Sequence, residues 1–190
     1  MAILSNYLAG QRAKIVLPYI KGSILDLGCG NALPLQFAKE KIDIYYGVEY
    51  GQKRVDELSR KFPEHKFFAR DLDVDELSFD VKFDTILVIA VIEHILNQKH
   101  FITQIVRNAK PNAKIVITTP TPFGDYIHKI GSRFGLFAKS AVHRHIIIFS
   151  PERLRMLASY FNMNVELHRR FQFGCNQLCI LAKPKTDNTV

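Results

Sequence analysis

The amino-acid sequence predicts one α/β domain, with a mostly parallel β-sheet, helices on both faces and an antiparallel hairpin near its C-terminus. Apolar runs of strand length alternate with stretches of helical spacing along most of the chain, which is typical of parallel strands joined by helices. Two strand-like runs near the C-terminus are separated by a short segment only, which favours an antiparallel pair. The 190 residues, 47% of them hydrophobic, suffice for the core of one such domain.

Five apolar runs have the length of buried strands, and amphipathic stretches separate them. Val55, Leu58 and Phe62, for example, are spaced to face one side of a helix. Because the runs are short and continuous, we expect them to form the parallel strands of the sheet. The five runs are Ser23 to Gly28, Ile44 to Glu49, Lys66 to Ala69, Thr85 to Ile89, and Lys114 to Thr118.

A helix start and a hairpin follow in the C-terminal part. Ser150 is suited to cap a helix whose first position is Pro151. The runs Asn164 to Phe171 and Cys175 to Lys183 then flank a short segment containing Gly174, so we expect them to pair as a hairpin.

We expect the chain to divide into a cap, a main domain and a tail. Residues 1–22 are predicted to form an N-terminal helical cap, residues 23–183 the main domain, and residues 184–190 a flexible polar tail. Residues 121–148 are more than a simple connection needs, and we interpret them as an insertion that forms a ligand pocket or a lid.

The composition bears on compartment and partners. Cys29, Cys175 and Cys179 have neither disulfide-framework nor metal-site spacing, which favours a reducing, cytoplasmic location. The N-terminal stretch is too polar for a signal peptide, and no run reaches the roughly 18 apolar residues of a membrane span, so stable membrane insertion is not expected.

The net charge of +8 suits an anionic partner, but a phosphorylated metabolite, a lipid headgroup, RNA or no partner at all would fit equally.

A glycine turn joins the first predicted strand to a helix. Gly28 and Gly30 would let the backbone approach a nucleotide-like ligand closely, although a tight turn needs glycine even without a ligand. Leu33 stands where a dinucleotide fingerprint has its third glycine, which argues against a pyrophosphate. Asp26 lies two residues before the turn, where its carboxylate would repel a pyrophosphate and attract an ammonium group.

Two more acidic positions follow the next strands. Glu49 ends the second strand, where a carboxylate can accept hydrogen bonds from both hydroxyls of a ribose, and Tyr50 after it could pack on an adenine. Asp71 and the backbone amide of Leu72 follow the third strand and could contact the adenine edge. In an open α/β sheet the carboxyl ends of the strands form the ligand-binding edge, so we expect these residues to lie together.

Six segments in order resemble the class I methyltransferases, particularly the type 11 group. The resemblance extends from about Gly22 to Lys183. Its segments are LDLGCG (Leu25 to Gly30), YYGVEY (Tyr45 to Tyr50), ARDL (Ala69 to Leu72), FDTILVIAVIEHI (Phe83 to Ile95), NAKPNAKIVITTPTP (Asn108 to Pro122) and FSPERLRMLASYF (Phe149 to Phe161).

The resemblance implies a Rossmann-like fold whose seven-stranded sheet has its last strand antiparallel. It also implies S-adenosylmethionine as the cofactor, with S-adenosylhomocysteine as product. Carried over by position, the cofactor contacts would be Asp26, Gly28, Gly30, Glu49, Asp71, Leu72 and the backbone around Ile89. Ala32 departs from the family, in which many members have a third glycine there.

Candidates for chemistry and acceptor binding come from the Glu-His segment and the insertion. His94 would lie beside the cofactor and could accept a proton, although a local hydrogen-bonding role at a helix start is at least as plausible. The insertion has several cations and histidines, which suit an anionic acceptor. Its candidate acceptor-binding residues are Tyr126, His128, Arg133, His143 and His145. We predict no metal site, because the pair His143 and His145 has no evident third ligand.

The sequence therefore leads to one main hypothesis and two alternatives. The main hypothesis is a methyltransferase that acts on a small or lipid-linked, anionic acceptor. RNA methylation would suit the positive charge, but no appended RNA-binding module is visible. A non-catalytic protein that binds S-adenosylmethionine, or a scaffold, is the second alternative.

Overall fold

The computed structural model describes residues 3–133 and 146–184, with side chains from Tyr7 to Ile127 and from Ile146 to Pro184. Seven strands form one sheet in the order β3-β2-β1-β4-β5-β7-β6. Strand β7 runs antiparallel to both of its neighbours, and the other six strands share one direction. The strands are β1 (Gly22–Leu27), β2 (Ile42–Glu49), β3 (Lys66–Ala69), β4 (Phe83–Ile89), β5 (Ala109–Pro120), β6 (Asn164–Phe171) and β7 (Asn176–Ala182).

Helices cover both faces of this sheet. Among the described residues, the α-helices are α1 (Ile3–Val16), α2 (Leu33–Phe37), α3 (Gln52–Lys61), α4 (Gln98–Asn108), α5 (Pro122–Arg133) and α6 (Pro151–Tyr160). Single turns of 3₁₀-helix lie at Leu17–Tyr19, Lys39–Lys41 and Ile92–His94. Within the described residues, no helix is both long and apolar enough to cross a bilayer.

The sheet separates two apolar layers, which explains the two helical faces. Ile105 of α4 and Leu154 of α6 pack in one layer, while Val16 of α1 and Leu58 of α3 pack in the other. Every residue of the central strand β1 is buried, as expected for a strand with neighbours on both sides and helices on both faces. This architecture confirms the predicted fold class.

The observed bounds differ from the predicted ones mainly at β5. This strand begins at Ala109, directly after α4, rather than at Lys114. Its first part contains Lys110, Pro111 and Asn112, so it lacks the apolar continuity by which a strand is recognised, and it pairs irregularly with β4. Helix α6 begins as predicted, because the Ser150 side chain accepts a hydrogen bond from the Arg153 amide.

The chain direction places several elements at the edge where the parallel strands end, here called the carboxyl edge. The turn after β1 and the residues after β2, β3 and β4 all lie there. Helix α1 leads through Leu17–Tyr19 into the start of β1, so its N-terminal turns also point toward the carboxyl edge. The hairpin turn between β6 and β7 lies at this edge as well, because β6 runs parallel to β5.

Candidate functional site

The turn after β1 is built on two glycines with left-handed backbone. Gly28 has a φ of 68° and Gly30 a φ of 56°. The amides of Gly28 and Cys29 donate to the Val48 carbonyl oxygen at 2.8 and 3.0 Å, which joins the turn to β2. A Cβ at position 28 would lie 2.4 Å from Val91 Cγ2, so this position has no room for a side chain.

Glu49, at the end of β2, is linked directly to that turn. Its Oε2 accepts a hydrogen bond from the Gly30 amide at 2.9 Å, and its Oε1 accepts one from the Tyr50 amide at 2.9 Å. Each carboxylate oxygen keeps further acceptor capacity. The side chain therefore orders the turn and still offers acceptors at the carboxyl edge.

Asp26 lies inside the sheet, with only 2% of its surface exposed. The Tyr45 hydroxyl donates to Asp26 Oδ2 at 2.5 Å. Burial raises the pKa of Asp26 to about 7, the Tyr45 hydrogen bond opposes this shift, and the negative charge of Glu49 adds to it. Asp26 can therefore change its ionisation near neutral pH.

A cavity of about 270 Å³, the α1 cavity, lies between helix α1 and the glycine turn. Asp26 and Gly30 line one side of it, and Ala9 and Arg12 of α1 line another. Ile89 and Ala90, at the end of β4, also line it. Ala90 has a φ of 54°, a strained conformation of a kind that occurs often at functional sites.

Arg12 is a component of this cavity that sequence reasoning missed. Burial lowers the pKa of its guanidinium, and the nearby Glu93 carboxylate opposes that shift. The only sequence signal was that the N-terminal helix carries two cations, Arg12 and Lys14, and no acidic residue. That signal does not tell which strand ends the helix packs against.

A second cavity of about 580 Å³, the Asp71 cavity, lies on the other side of the glycine turn. Gly28 lines both cavities, so the two adjoin at the turn. The loop after β3 is ordered from within, because Asp71 Oδ1 accepts from the Asp73 amide at 3.0 Å. The lining includes the predicted Glu49, Tyr50, Asp71, Leu72 and His94, together with Arg70, Asp73, Val91, Ile95 and Ile146.

The structure thus gathers all eight predicted cofactor-binding residues around the glycine turn. Asp26, Gly30 and Ile89 line the α1 cavity, while Glu49, Tyr50, Asp71 and Leu72 line the Asp71 cavity. Gly28 lies between the two groups. His94 lines the Asp71 cavity with the second group. Beside it, the backbone amides of Ile146 and Ile147 both donate to the Glu93 carbonyl oxygen.

The predicted acceptor-binding residues are described only in part. Tyr126 is exposed on α5 and does not line either cavity. His128 and Arg133 belong to α5, but their side chains are outside the described part of the structure, as are His143 and His145 entirely.

Comparison with known proteins bears on this arrangement. A profile of the methyltransferase domain family matches residues 7–168. The chain belongs to this family. The match confirms the family resemblance and the enzyme class predicted from the sequence, and with them S-adenosylmethionine as the cofactor of this class.

Two solved methyltransferases share the fold at low sequence identity. Magnesium protoporphyrin IX methyltransferase from Synechocystis PCC 6803, crystallised with bound S-adenosylhomocysteine, superposes with a TM-score of 0.68 at 16% identity, over 92% of this chain and 83% of that one. An S-adenosylmethionine-dependent methyltransferase from Mesorhizobium loti gives a TM-score of 0.70 at 15% identity, over 91% and 96% of the two chains.

A curated relative is closer in sequence but longer. The ubiquinone biosynthesis O-methyltransferase of Rickettsia akari is 30% identical over 102 residues, which are 52% of this chain and 40% of that protein. The chain therefore matches less than half the length of this relative.

Proposed function

We propose that this methyltransferase domain transfers the methyl group of S-adenosylmethionine to a small or lipid-linked, anionic acceptor. The observation that carries the proposal is the pair of carboxylates, Asp26 and Glu49, at neighbouring strand ends on either side of the glycine turn. One faces the α1 cavity and the other the Asp71 cavity. A ligand with a cationic end and a ribose is complementary to this arrangement.

The residues present fit the cofactor group by group. Asp26 would attract the ammonium of the methionyl part, and Arg12, in the same cavity, would bind its carboxylate. Glu49 would accept hydrogen bonds from the ribose hydroxyls across the turn. Asp71 and the Leu72 amide would contact the adenine in the Asp71 cavity, with Tyr50 packed on its ring.

When bound, S-adenosylmethionine supplies a methyl group activated by a sulfonium. The protein must hold the acceptor in line with that group and exclude water, so positioning accounts for most of the rate. A hydroxyl acceptor also has to lose a proton, and His94, which lines the Asp71 cavity, is the candidate to receive it. In a steady-state methylation assay, His94→Gln is expected to lower kcat by a larger factor than it weakens S-adenosylhomocysteine binding.

Two observations support the proposed acceptor class. The curated relative is named for ubiquinone biosynthesis and for transfer to oxygen, which favours a hydroxyl on a lipid-linked molecule. The net charge of +8 favours an acceptor with negative charge.

Calorimetric titration with S-adenosylhomocysteine tests the cofactor assignment. Glu49→Ala is expected to weaken binding by about 1 to 3 kcal/mol, because the ribose hydroxyls lose their acceptor. Glu40→Ala, which removes an exposed carboxylate from the turn before β2, is the matched control and should bind like the unchanged protein. Binding of NAD in place of S-adenosylhomocysteine, or equal affinity in both variants, would show that the site is misassigned.

Salt dependence tests the acceptor class. An acceptor held in an enclosed pocket should keep most of its affinity as ionic strength rises, whereas RNA binding should fall steeply because counterions are released from many phosphates. Methylation of RNA with that steep salt response would replace the proposed acceptor and leave the cofactor assignment intact.

A further inference from the structure

Four exposed aromatic side chains lie on helix α1, helix α5 and the β6–β7 turn. They are Tyr7, Phe123, Tyr126 and Phe173, and each is more than half exposed. We call this set the aromatic edge. Isolated exposed aromatics are common, but several on adjoining elements indicate an interaction surface.

The aromatic edge borders a cavity that is separate from the cofactor site. This aromatic cavity has a volume of about 590 Å³, within the range of small-molecule sites. Its lining is mostly apolar, with Leu8, Ile15, Ile127 and Phe171 among the residues that form it. The residues of α1 that line the aromatic cavity lie on a different side of the helix from Ala9, Arg12 and Ala13, which line the α1 cavity. A ligand in the aromatic cavity would therefore not displace the cofactor.

The turn that presents Phe173 is strained and firmly held. Gln172 and Phe173 have φ angles of 52° and 56°, which are unfavourable for residues with side chains, and a bulky side chain makes this rarer. Thr121 Oγ1 donates to the Gly174 carbonyl oxygen at 2.6 Å, and Gln172 Nε2 donates to the Leu8 carbonyl oxygen at 3.2 Å. Strain maintained by surrounding contacts, around a fully exposed phenylalanine, points to a function for that side chain.

Among the described residues, the exposed charges named around the aromatic edge are positive. Helix α1 contains no acidic residue, and Asp125, the one acid of α5, is buried. Lys14 is exposed and lines the aromatic cavity. Arg169 is exposed too, and it lies on the same face of β6 as Leu167 and Phe171, because alternate residues of a strand share a face.

We propose that the aromatic edge docks this methyltransferase on an anionic lipid bilayer, with Phe173 inserted among the lipids and the aromatic cavity receiving a hydrocarbon chain. Aromatic side chains combined with cations are the features that bind proteins to anionic membrane surfaces. The aromatic edge and the proposed cofactor site both lie where the parallel strands of the sheet end. Docking through the aromatic edge therefore brings the cofactor site to the bilayer. The docking surface rests on the proposed function only in the idea that the acceptor is lipid-linked.

Sedimentation with vesicles tests the surface directly, using the full chain without acceptor. The protein is expected to bind vesicles of phosphatidylcholine mixed with phosphatidylglycerol, and to bind pure phosphatidylcholine vesicles much more weakly. Phe173→Ser should lower the affinity about 10- to 100-fold, since one phenylalanine is no longer buried in lipid. Lys14→Glu should lower it about tenfold, through reversed charge at the anionic surface.

Matched controls distinguish binding through the aromatic edge from non-specific adsorption to the vesicles. Met156→Ser removes an exposed apolar side chain from α6, on the other face of the sheet, and Lys53→Glu reverses an exposed charge on α3. Both should bind vesicles like the unchanged protein. S-adenosylhomocysteine affinity, measured in every variant, should stay constant, so failure of vesicle binding is distinguishable from failure of the cofactor assignment.

Three results would overturn the proposal. The first is no difference between anionic and neutral vesicles. The second is an equal loss of binding in Phe173→Ser and Met156→Ser. The third is a stable dimer in solution that Phe173→Ser dissociates, which would assign the aromatic edge to a second copy of the chain.

Discussion

Asp26 shows how a single residue trades stability for binding. Asp26 belongs to the central strand β1, all of whose residues are buried. This burial raises the pKa of its carboxyl group from 3.8 to about 7 in the folded protein. The folded protein therefore holds this proton more tightly than the unfolded chain does. The resulting stability is complete below about pH 4 and is lost as the pH rises toward about 7. The carboxylate retained at neutral pH is the group that would attract the ammonium of the cofactor.

Asp26→Asn removes this penalty. Near pH 8 the free energy of unfolding of the variant is expected to be about 2 to 4 kcal/mol higher than that of the unchanged protein. The reason is that no charge is buried in the variant, while the amide oxygen still accepts the hydrogen bond from Tyr45. Near pH 4 the difference should vanish. Urea unfolding at the two pH values measures this, and Asp43→Asn, at an exposed position of β2, should show no such pH dependence. A destabilised Asp26→Asn protein near pH 8 would contradict the assignment of the pKa.

At the proposed site, the same carboxyl should make cofactor affinity depend on pH. Since the ammonium binds the ionised form, affinity should fall as the pH drops below about 7. Tyr45→Phe removes the hydrogen bond that opposes the rise in pKa, so the fall should begin at higher pH. Calorimetric titration with S-adenosylhomocysteine across this range measures the midpoint. An unshifted midpoint in Tyr45→Phe would mean that Tyr45 does not influence Asp26.

At the scale of elements, helix α5 depends on a close approach to the β6–β7 turn. A Cβ at Gly124 would lie 1.8 Å from the Cys175 carbonyl oxygen, which is a backbone atom. The Gly124 amide also donates to Thr121 Oγ1 at 2.9 Å. The first turn of α5 and the hairpin turn therefore form one packed unit.

Two glycine-to-alanine variants in helices should have opposite effects. Gly124→Ala is expected to lower the free energy of unfolding by about 1 to 3 kcal/mol, the usual cost of overpacking. Gly10→Ala in α1 has nothing within 4 Å of the new Cβ, and should raise it by about 0.5 to 1 kcal/mol through helix propensity. Denaturant unfolding compares them. Equal effects would show that α5 does not pack on the turn as described.

At the scale of the whole molecule, the proposed cofactor site exists only when distant parts of the chain are assembled. Its walls come from α1, the ends of β1, β2 and β4, and the loop after β3. The unfolded chain offers no such site, so ligand binding must stabilise the folded state.

Thermal unfolding measures this coupling. S-adenosylhomocysteine at about 100 times its Kd should stabilise the protein by roughly 2.7 kcal/mol, which corresponds to about 5 to 10 °C in Tm for a domain of this size. NAD at the same concentration should leave Tm unchanged. At that fixed ligand concentration Glu49→Ala should show a smaller increase than Glu40→Ala. A Tm that does not respond to S-adenosylhomocysteine would contradict the proposed site.

Local patterns were sufficient for much of the fold and part of the site. The runs that became β1 to β4 were recognisable because parallel strands are buried on both faces and read as continuous apolar segments. The glycine turn and the acidic residues after the strands were recognisable because each depends on the backbone beside it. The early part of β5 was missed, since Lys110, Pro111 and Asn112 interrupt the apolar pattern.

The sequence by itself determined the alternation of strands and helices, the closing hairpin, the glycine turn and the carboxylates at the strand ends. Only the tertiary structure decided that Arg12 of α1 lines the same cavity as Asp26, that Tyr45 donates to that carboxyl, and that α1, α5 and the hairpin turn line the aromatic cavity. The physical reason is the distance along the chain between the residues that interact. The first group depends on residues adjacent in the chain, whereas the second depends on which helices pack over which end of the sheet.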